Sequence, residues 1–377
     1  MERDLDLLSK LVGIDTNCNE QKNYDQIALI LKEALNDAGA RTIIVHAKAK
    51  DGNSRPNVIG YFDNGKDDTL GINAHFDVVP ATRQEWRRNP FELYISGDKA
   101  FGRGAADDKG NIVASLLAAS GSRSRVNIEL LYTCDEEVGS EYGLAWIMKN
   151  RRRLVRSNYA VVLDGRMRLI GGTSGVASGT ITVRGKESHA GYPFLGRNAI
   201  LSAMPFLQKL QEFEKVAGTK TSRYSGIYGK KINGRFSITT IKSGSGNNII
   251  PGLLNAGFDM RSPPGYEIEK MSAEFKKYFN LWSKRFGVDA SLDFVGLTPG
   301  YESNQNSKIM MKMMQITGME KIYGAYGGDD GGYLSNAGIP TVSYGCLNAS
   351  VHGPNEYVSI RELRKVKEVM THLFEKF

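Results

Sequence analysis

Apolar residues recur at helical spacing over residues 4–13 and 24–40, which predicts two amphipathic helices, with Gly39 near the end of the second as a stop. The period then changes. Residues 41–46, 57–62 and 69–75 form short apolar or alternating runs that read as strands, as do 126–133 and 159–163. Between them lie an alanine- and leucine-rich helix reaching about residue 120 and another reaching about 149. The polar segment 81–90, with Trp86, reads as a loop. Strands alternating with helices predict an α/β domain with a central sheet flanked by helices.

From about residue 175 the pattern is strand 176–184, helix 198–216, strands 236–242 and 254–261, helix 267–286 and strand 288–295. That β-α-β-β-α-β order is the ferredoxin-like split unit, an antiparallel sheet with both helices on one face. It predicts an α+β domain inserted into the first, so the expected limits are 1–174 and 297–377 for the α/β domain and 175–296 for the insert. The glycine-rich stretch 218–234 reads as a mobile loop. Beyond 298 the α/β pattern resumes with a methionine-rich helix at 307–317, a flexible turn at 326–332, a strand at 340–344 and a last helix at 359–374.

Composition narrows the classes. A chain of 377 residues exceeds one ordinary core. No run approaches the roughly 20 apolar residues of a membrane span. The charged start Met1-Glu2-Arg3-Asp4-Leu5-Asp6 does not resemble a secretory signal. Cys18, Cys134 and Cys346 are too few and too scattered for a disulfide framework or a Cys-rich zinc site. A cytoplasmic location is the expectation. The net charge of +8 is densest at Lys149-Asn150-Arg151-Arg152-Arg153, which reads as a solvated helix end. No aromatic platform or recognition helix points to nucleic acid.

The chemistry lies where the apolar runs stop. His75 and Asp77 stand two residues apart at a strand end, so their side chains can point the same way. Cys134-Asp135-Glu136-Glu137 closes the 126–133 strand, and three successive acids repel one another unless a cation or raised pKa values relieve them. Asp164 ends the 159–163 strand, Asp107-Asp108 opens a helix, and His352 lies in a late loop. One of the paired aspartates could cap its helix while the other does something else. Imidazole and carboxylate without thiolate suit zinc, cobalt or manganese. If these groups converge, two divalent ions sharing one carboxylate, roughly 3.5–4 Å apart, would relieve the repulsion.

His75-Phe76-Asp77, Gly102-Arg103-Gly104-Ala105-Ala106-Asp107, Asp135-Glu136-Glu137 and the late His352 together resemble the M20 family of metallopeptidases and amidohydrolases. The resemblance runs from the N-terminal helices to the His352 block. It implies that Asp107 bridges two ions, most simply zinc, with cobalt or manganese as alternatives. His75 and Asp164 would complete one site, and Glu137 and His352 the other. Asp77 would orient His75 from behind, and Glu136 would shuttle the proton. In the insert, which becomes a lid and dimerisation domain in this picture, His189 of Glu187-Ser188-His189-Ala190-Gly191 would reach a partner subunit's site and stabilise the oxyanion. Asn248, Arg261, Gly327 and Gly328 match positions that hold the substrate. Asp164 departs from the many relatives that carry Glu there. His46 and His372 match nothing and are read as structural.

Three functions follow. The first is a deacylase of N-acyl amino acids, of the acetylornithine deacetylase or succinyl-diaminopimelate desuccinylase type. The second is a carboxypeptidase or dipeptidase with the same centre. The third, a catalytically dead binding protein, is disfavoured because every ligand type and Glu136 are present.

Overall fold

The computed structural model describes residues 3–377, which divide into two compact units. One holds everything described up to Gly171 together with Glu302–Tyr323 and Asp329–Phe377; the other is Gly172–Tyr301 with Gly324–Gly328.

The first unit is built on a mixed sheet. Among the described residues, seven of its nine strands run in the order Arg41–Lys48, Ser54–Phe62, Asn127–Thr133, Thr69–His75, Tyr159–Val162, Thr341–Ser343 and Leu169–Thr173. Thr69–His75 is parallel to both of its neighbours, with His75 opposite Thr133 and Asn73 opposite Val162. Every residue of Thr69–His75 and of Asn127–Thr133 is buried. That is the environment of central parallel strands covered on both faces, and it explains their nearly continuous apolar character. Because the three strands run the same way, their C-terminal ends open on one edge of the sheet.

Helices cover the faces. Lys109–Gly121 is buried from Lys109 to Ala119, as its all-round small and apolar composition requires. Ile360–Lys376 packs beside it through Leu363, Val366, Met370, Leu373 and Phe374, which recur at helical spacing. Each such fully buried side chain contributes roughly 1.5–3 kcal/mol. Ser359 caps that helix, its Oγ accepting from Glu362 N at 3.2 Å. Tyr24–Asp37 stops before residue 40, because the chain turns through Ala38 and Gly39 takes φ +91°.

The second unit carries a four-stranded antiparallel sheet in the order Arg235–Ser243, Leu253–Ser262, Gly175–Arg184, Ala290–Thr298. Gly175–Arg184 alternates buried and part-exposed residues along its length, the mark of one covered face. Helices Ala199–Gln211 and Ile268–Phe286 cover it around Phe206, Phe213, Phe236, Phe258 and Phe275. The expected helix 198–216 is broken at Glu212 into Ala199–Gln211 and Phe213–Ala217.

Two readings from glycine content are corrected. Within 218–234, Thr221–Ser225 and Lys231–Asn233 pair as a hairpin, with Tyr224 and Ile232 buried, so the stretch is ordered by its alternating side chains. Within 326–332, Asp329 and Asp330 are buried, and Gly331–Asn336 is helical. Among the described residues no helix is long and apolar enough to cross a membrane.

Candidate metal centre

His75 is the last residue of its strand. Its ring Nδ1 lies 3.3 Å from Asp77 Oδ1 and 3.1 Å from the Asp77 carbonyl oxygen, and its Nε2 lies 3.0 Å from Asp107 Oδ1. The other oxygen of Asp107 meets a different imidazole: Oδ2 is 3.1 Å from His352 Nε2, which is also 3.2 Å from Glu137 Oε2. Donor atoms of His75, Asp107 and Asp164 all lie within 4.8 Å of one another, and so do those of Asp107, Glu137 and His352. Two three-residue clusters therefore share Asp107.

The turn after Asn127–Thr133 explains how two adjacent glutamates are presented. Asp135 adopts a left-handed conformation, φ 71°. Its carboxylate accepts from Gln21 Nε2 and from Tyr142 N, each at 3.0 Å. Asp77 then accepts the backbone N–H groups of Glu136 and Glu137 at 3.1 Å, one on each oxygen. Asp77 thus faces the frame of the centre and stands behind His75.

Asp108 turns away from its neighbour. Its Oδ2 accepts from His75 N at 3.2 Å and its Oδ1 from Asn111 Nδ2 at 2.6 Å. It makes no side-chain cap bond to the helix it precedes. Asn111 also donates to Leu163 O at 2.8 Å, fixing the backbone just before Asp164.

The electrostatics are those of acids out of water. Burial pushes Asp164 well above the usual carboxylate range, and the charge of Asp107 adds to it. Burial does the same to Glu136, reinforced by Asp164. Asp108 is pushed up to about 8, again by burial. Burial would also raise Asp107, but hydrogen bonds from His352 and His75 outweigh it and hold the group below its usual range. His352 is pushed up to about 10 by its bonds to Asp107 and then Glu137. Burial lowers His75, yet its contacts with Asp107 and Asp77 carry it well above the ordinary imidazole value. Glu137 Oε1 is buried without a hydrogen-bond partner among the described residues. Two imidazoles and three carboxylates, one of them carrying that orphaned oxygen, form a donor set that fits divalent cations of the zinc class.

Some contributors carried no signal in the sequence. Asp330 accepts from Thr133 Oγ1 at 3.2 Å and from Ser140 Oγ, and burial lifts it to about 6. Asp329 accepts from Ser343 Oγ at 2.5 Å. Glu356, four residues after His352, is wholly buried beneath the Asp107 loop. A lone acid whose partners are mostly backbone groups and hydroxyls leaves no recognisable spacing.

His189, Asn248, Arg261, Gly327 and Gly328 belong to the second unit. His189 is exposed, its Nδ1 accepting from Gly191 N at 3.0 Å. His189 pairs with Ile249, and Ala190 N donates to Asn248 O at 2.8 Å, so the His189 and Asn248 segments lie side by side. Arg261 is engaged by Asp259 on its own strand, Nε to Oδ1 at 2.8 Å and Nη2 to Oδ2 at 2.9 Å. Arg235, directly opposite Arg261 in the ladder, donates to Ser174 Oγ and to Tyr326 O. Gly327 O accepts from Ser174 N at 2.9 Å, and Gly328 follows it in the same segment. His46 Nδ1 sits 2.6 Å from Ser54 Oγ across a hairpin.

Comparison with known proteins adds the following. Residues 71–376 match the model of peptidase family M20/M25/M40. The chain is 28% identical over 360 residues to an uncharacterised metallohydrolase of Methanocaldococcus jannaschii, covering 86% of this chain and 85% of that one. It is 26% identical over 314 residues to succinyl-diaminopimelate desuccinylase of Alkalilimnicola ehrlichii, covering 78% and 80%. Among solved structures, an M20 family metallo-carboxypeptidase from Sulfolobus solfataricus shares the fold with a TM-score of 0.82 at 21% identity, over 99% of both chains.

Proposed function

Because the chain belongs to peptidase family M20/M25/M40, we propose that it is a dinuclear metal-dependent amidohydrolase that deacylates an N-acyl amino acid. The observation that carries this reading is the division of Asp107, with one carboxylate oxygen toward His75 and the other toward His352. His75 and Asp164 would hold one ion and Glu137 and His352 the other, with Asp107 common to both. Zinc is the first candidate, and cobalt or manganese suit the same donors. Such ions, when bound, lower the pKa of a water and polarise the amide carbonyl.

The protein's own groups do the rest. Glu136 would take the proton of the attacking water and return it to the leaving nitrogen as the C–N bond breaks, releasing a carboxylate and an amine. Its burial beside other acids raises its proton affinity, which suits a group that carries a proton. Asp77 keeps His75 oriented and, through two backbone N–H groups, keeps Glu136 and Glu137 in place. His189 would donate to the developing oxyanion. Asn248, Arg261, Gly327 and Gly328 would hold the substrate's carboxylate end, and homodimerisation through the inserted unit is part of the same reading.

A second reading, a carboxypeptidase or dipeptidase using the same centre, is supported by the shared fold with the Sulfolobus metallo-carboxypeptidase. A panel of N-acetyl and N-succinyl amino acids against dipeptides and tripeptides separates the two. Turnover of acylated amino acids supports the deacylase; turnover of peptides alone replaces it with the peptidase.

A further inference from the structure

Glu356 ends the loop that carries His352, and it is wholly buried. Its Oε1 accepts from Ala106 N at 3.0 Å and from Asp107 N at 3.1 Å. Its Oε2 accepts from Gly104 N at 3.1 Å and from Arg103 Nη1 at 2.6 Å. Its backbone carbonyl takes Gly102 N at 3.0 Å. One residue thus gathers the amide groups of the loop that presents Asp107, and the guanidinium of that loop neutralises it. A buried carboxylate with four donors, one of them a cation, is fully satisfied, and removing it would leave those donors stranded.

The other end of the same short segment needs an anchor. His352 and Asn355 both adopt left-handed backbone conformations, φ 63° and 58°. The His352 side chain is 55% exposed and meets the centre through Asp107 and Glu137. Little packing therefore holds the imidazole in place. After Glu356 the chain enters the Tyr357–Ser359 strand, which pairs with Lys99–Phe101 just before the Asp107 loop.

We infer that Glu356 is a positioning residue that locks the Asp107 loop and the His352 loop into one piece, so that both clusters can share a single carboxylate. The inference rests on the reading of His75, Asp107, Glu137, Asp164 and His352 as metal ligands. It assigns Glu356 no contact with substrate or ion.

The test compares wild type, Glu356→Gln and Val358→Ala by zinc competition against a chromophoric chelator and by the visible spectrum of the cobalt(II) form. Val358 is buried two residues further along the strand and serves as a control for general loosening. Glu356→Gln should weaken zinc binding about ten- to a hundred-fold and change the cobalt spectrum. Val358→Ala should leave both unchanged even where its melting temperature falls. Should Glu356→Gln fail to fold, Arg103→Lys, which keeps the carboxylate and replaces its guanidinium partner, should show a smaller shift in the same direction. Wild-type affinity and spectrum in Glu356→Gln, or in Arg103→Lys where that variant stands in for it, would overturn the inference. An equal loss in Val358→Ala would also overturn it. If wild type itself takes up no divalent ion, the ligand assignment fails and the inference falls with it. If wild type binds two ions and Glu356→Gln matches it, the inference alone fails.

Discussion

His352 Nε2 lies 3.1 Å from Asp107 Oδ2, so an imidazole from near the end of the chain sits against a carboxylate from its first third. The contact has a pH consequence. In the metal-free protein Asp107 and Glu137 push His352 up to about 10, above the roughly 6.5 of an unfolded histidine. A raised histidine stabilises the fold fully below its unfolded pKa, and that stabilisation is lost as pH rises through the folded value. The metal-free melting temperature should therefore decline from about pH 6.5 to about 10, and His352→Ala should flatten part of that decline. The ring is half exposed, so solvent screening keeps the effect small. Parallel pH–melting curves in chelator check this, and superimposable slopes would refute it. The same proton competes with an ion, so metal affinity should rise with pH.

If Glu136 carries the proton as proposed, Glu136→Gln should keep metal content and melting temperature while turnover drops about 10²–10⁴-fold. Metal analysis alongside steady-state kinetics decides it. A variant that turns over normally would remove Glu136 from the mechanism.

Asp77→Asn puts an amide NH₂ where one of two backbone N–H groups now finds an oxygen. The substitution also weakens the contact behind His75. With His75 as a ligand, metal affinity should fall about ten- to a hundred-fold. Calorimetric titration of the metal-free variant measures it, and unchanged affinity would mean that Asp77 only frames the turn.

Asn111→Ala is a stability prediction. Its amide joins Asp108 and Leu163 O and accepts from Cys346 N at 3.2 Å, all buried. Leaving these groups unpaired should cost about 1–3 kcal/mol or more in denaturant unfolding, since each buried orphan carries its own penalty. A loss under half that would show that the pocket re-forms around water.

The central sheet and the strands of the second unit were legible because their signals are periodic. Thr69–His75 and Asn127–Thr133 are apolar runs buried throughout, and Gly175–Arg184 alternates as a one-sided strand must. The ionisable residues stood out for a related reason: His75 and Asp164 interrupt or follow apolar runs, where a polar group requires explanation. Glu356, Asp329 and Asp330 do not stand out, since their partners are mostly backbone amides and hydroxyls dispersed along the chain. The stretches 218–234 and 326–332 misled because glycine content resembles mobility, although buried Tyr224, Ile232, Asp329 and Asp330 pin them down. Arg261 was named as a substrate contact only through the resemblance, and its bidentate engagement with Asp259 depends on two side chains finding each other on one strand.

The parallel pairing of Thr69–His75 with Asn127–Thr133 and Tyr159–Val162 sets how this centre could change. A one-residue slip anywhere in those ladders would turn every side chain of the shifted strand to the opposite face and carry its ionisable end group out of line. Insertions within the strands are thus closed to variation, whereas segments that begin after the strand ends can lengthen or shorten without shifting the ladder. New substrates are reachable by remodelling those segments while the chemistry remains counted out, residue by residue, in the ladder beneath.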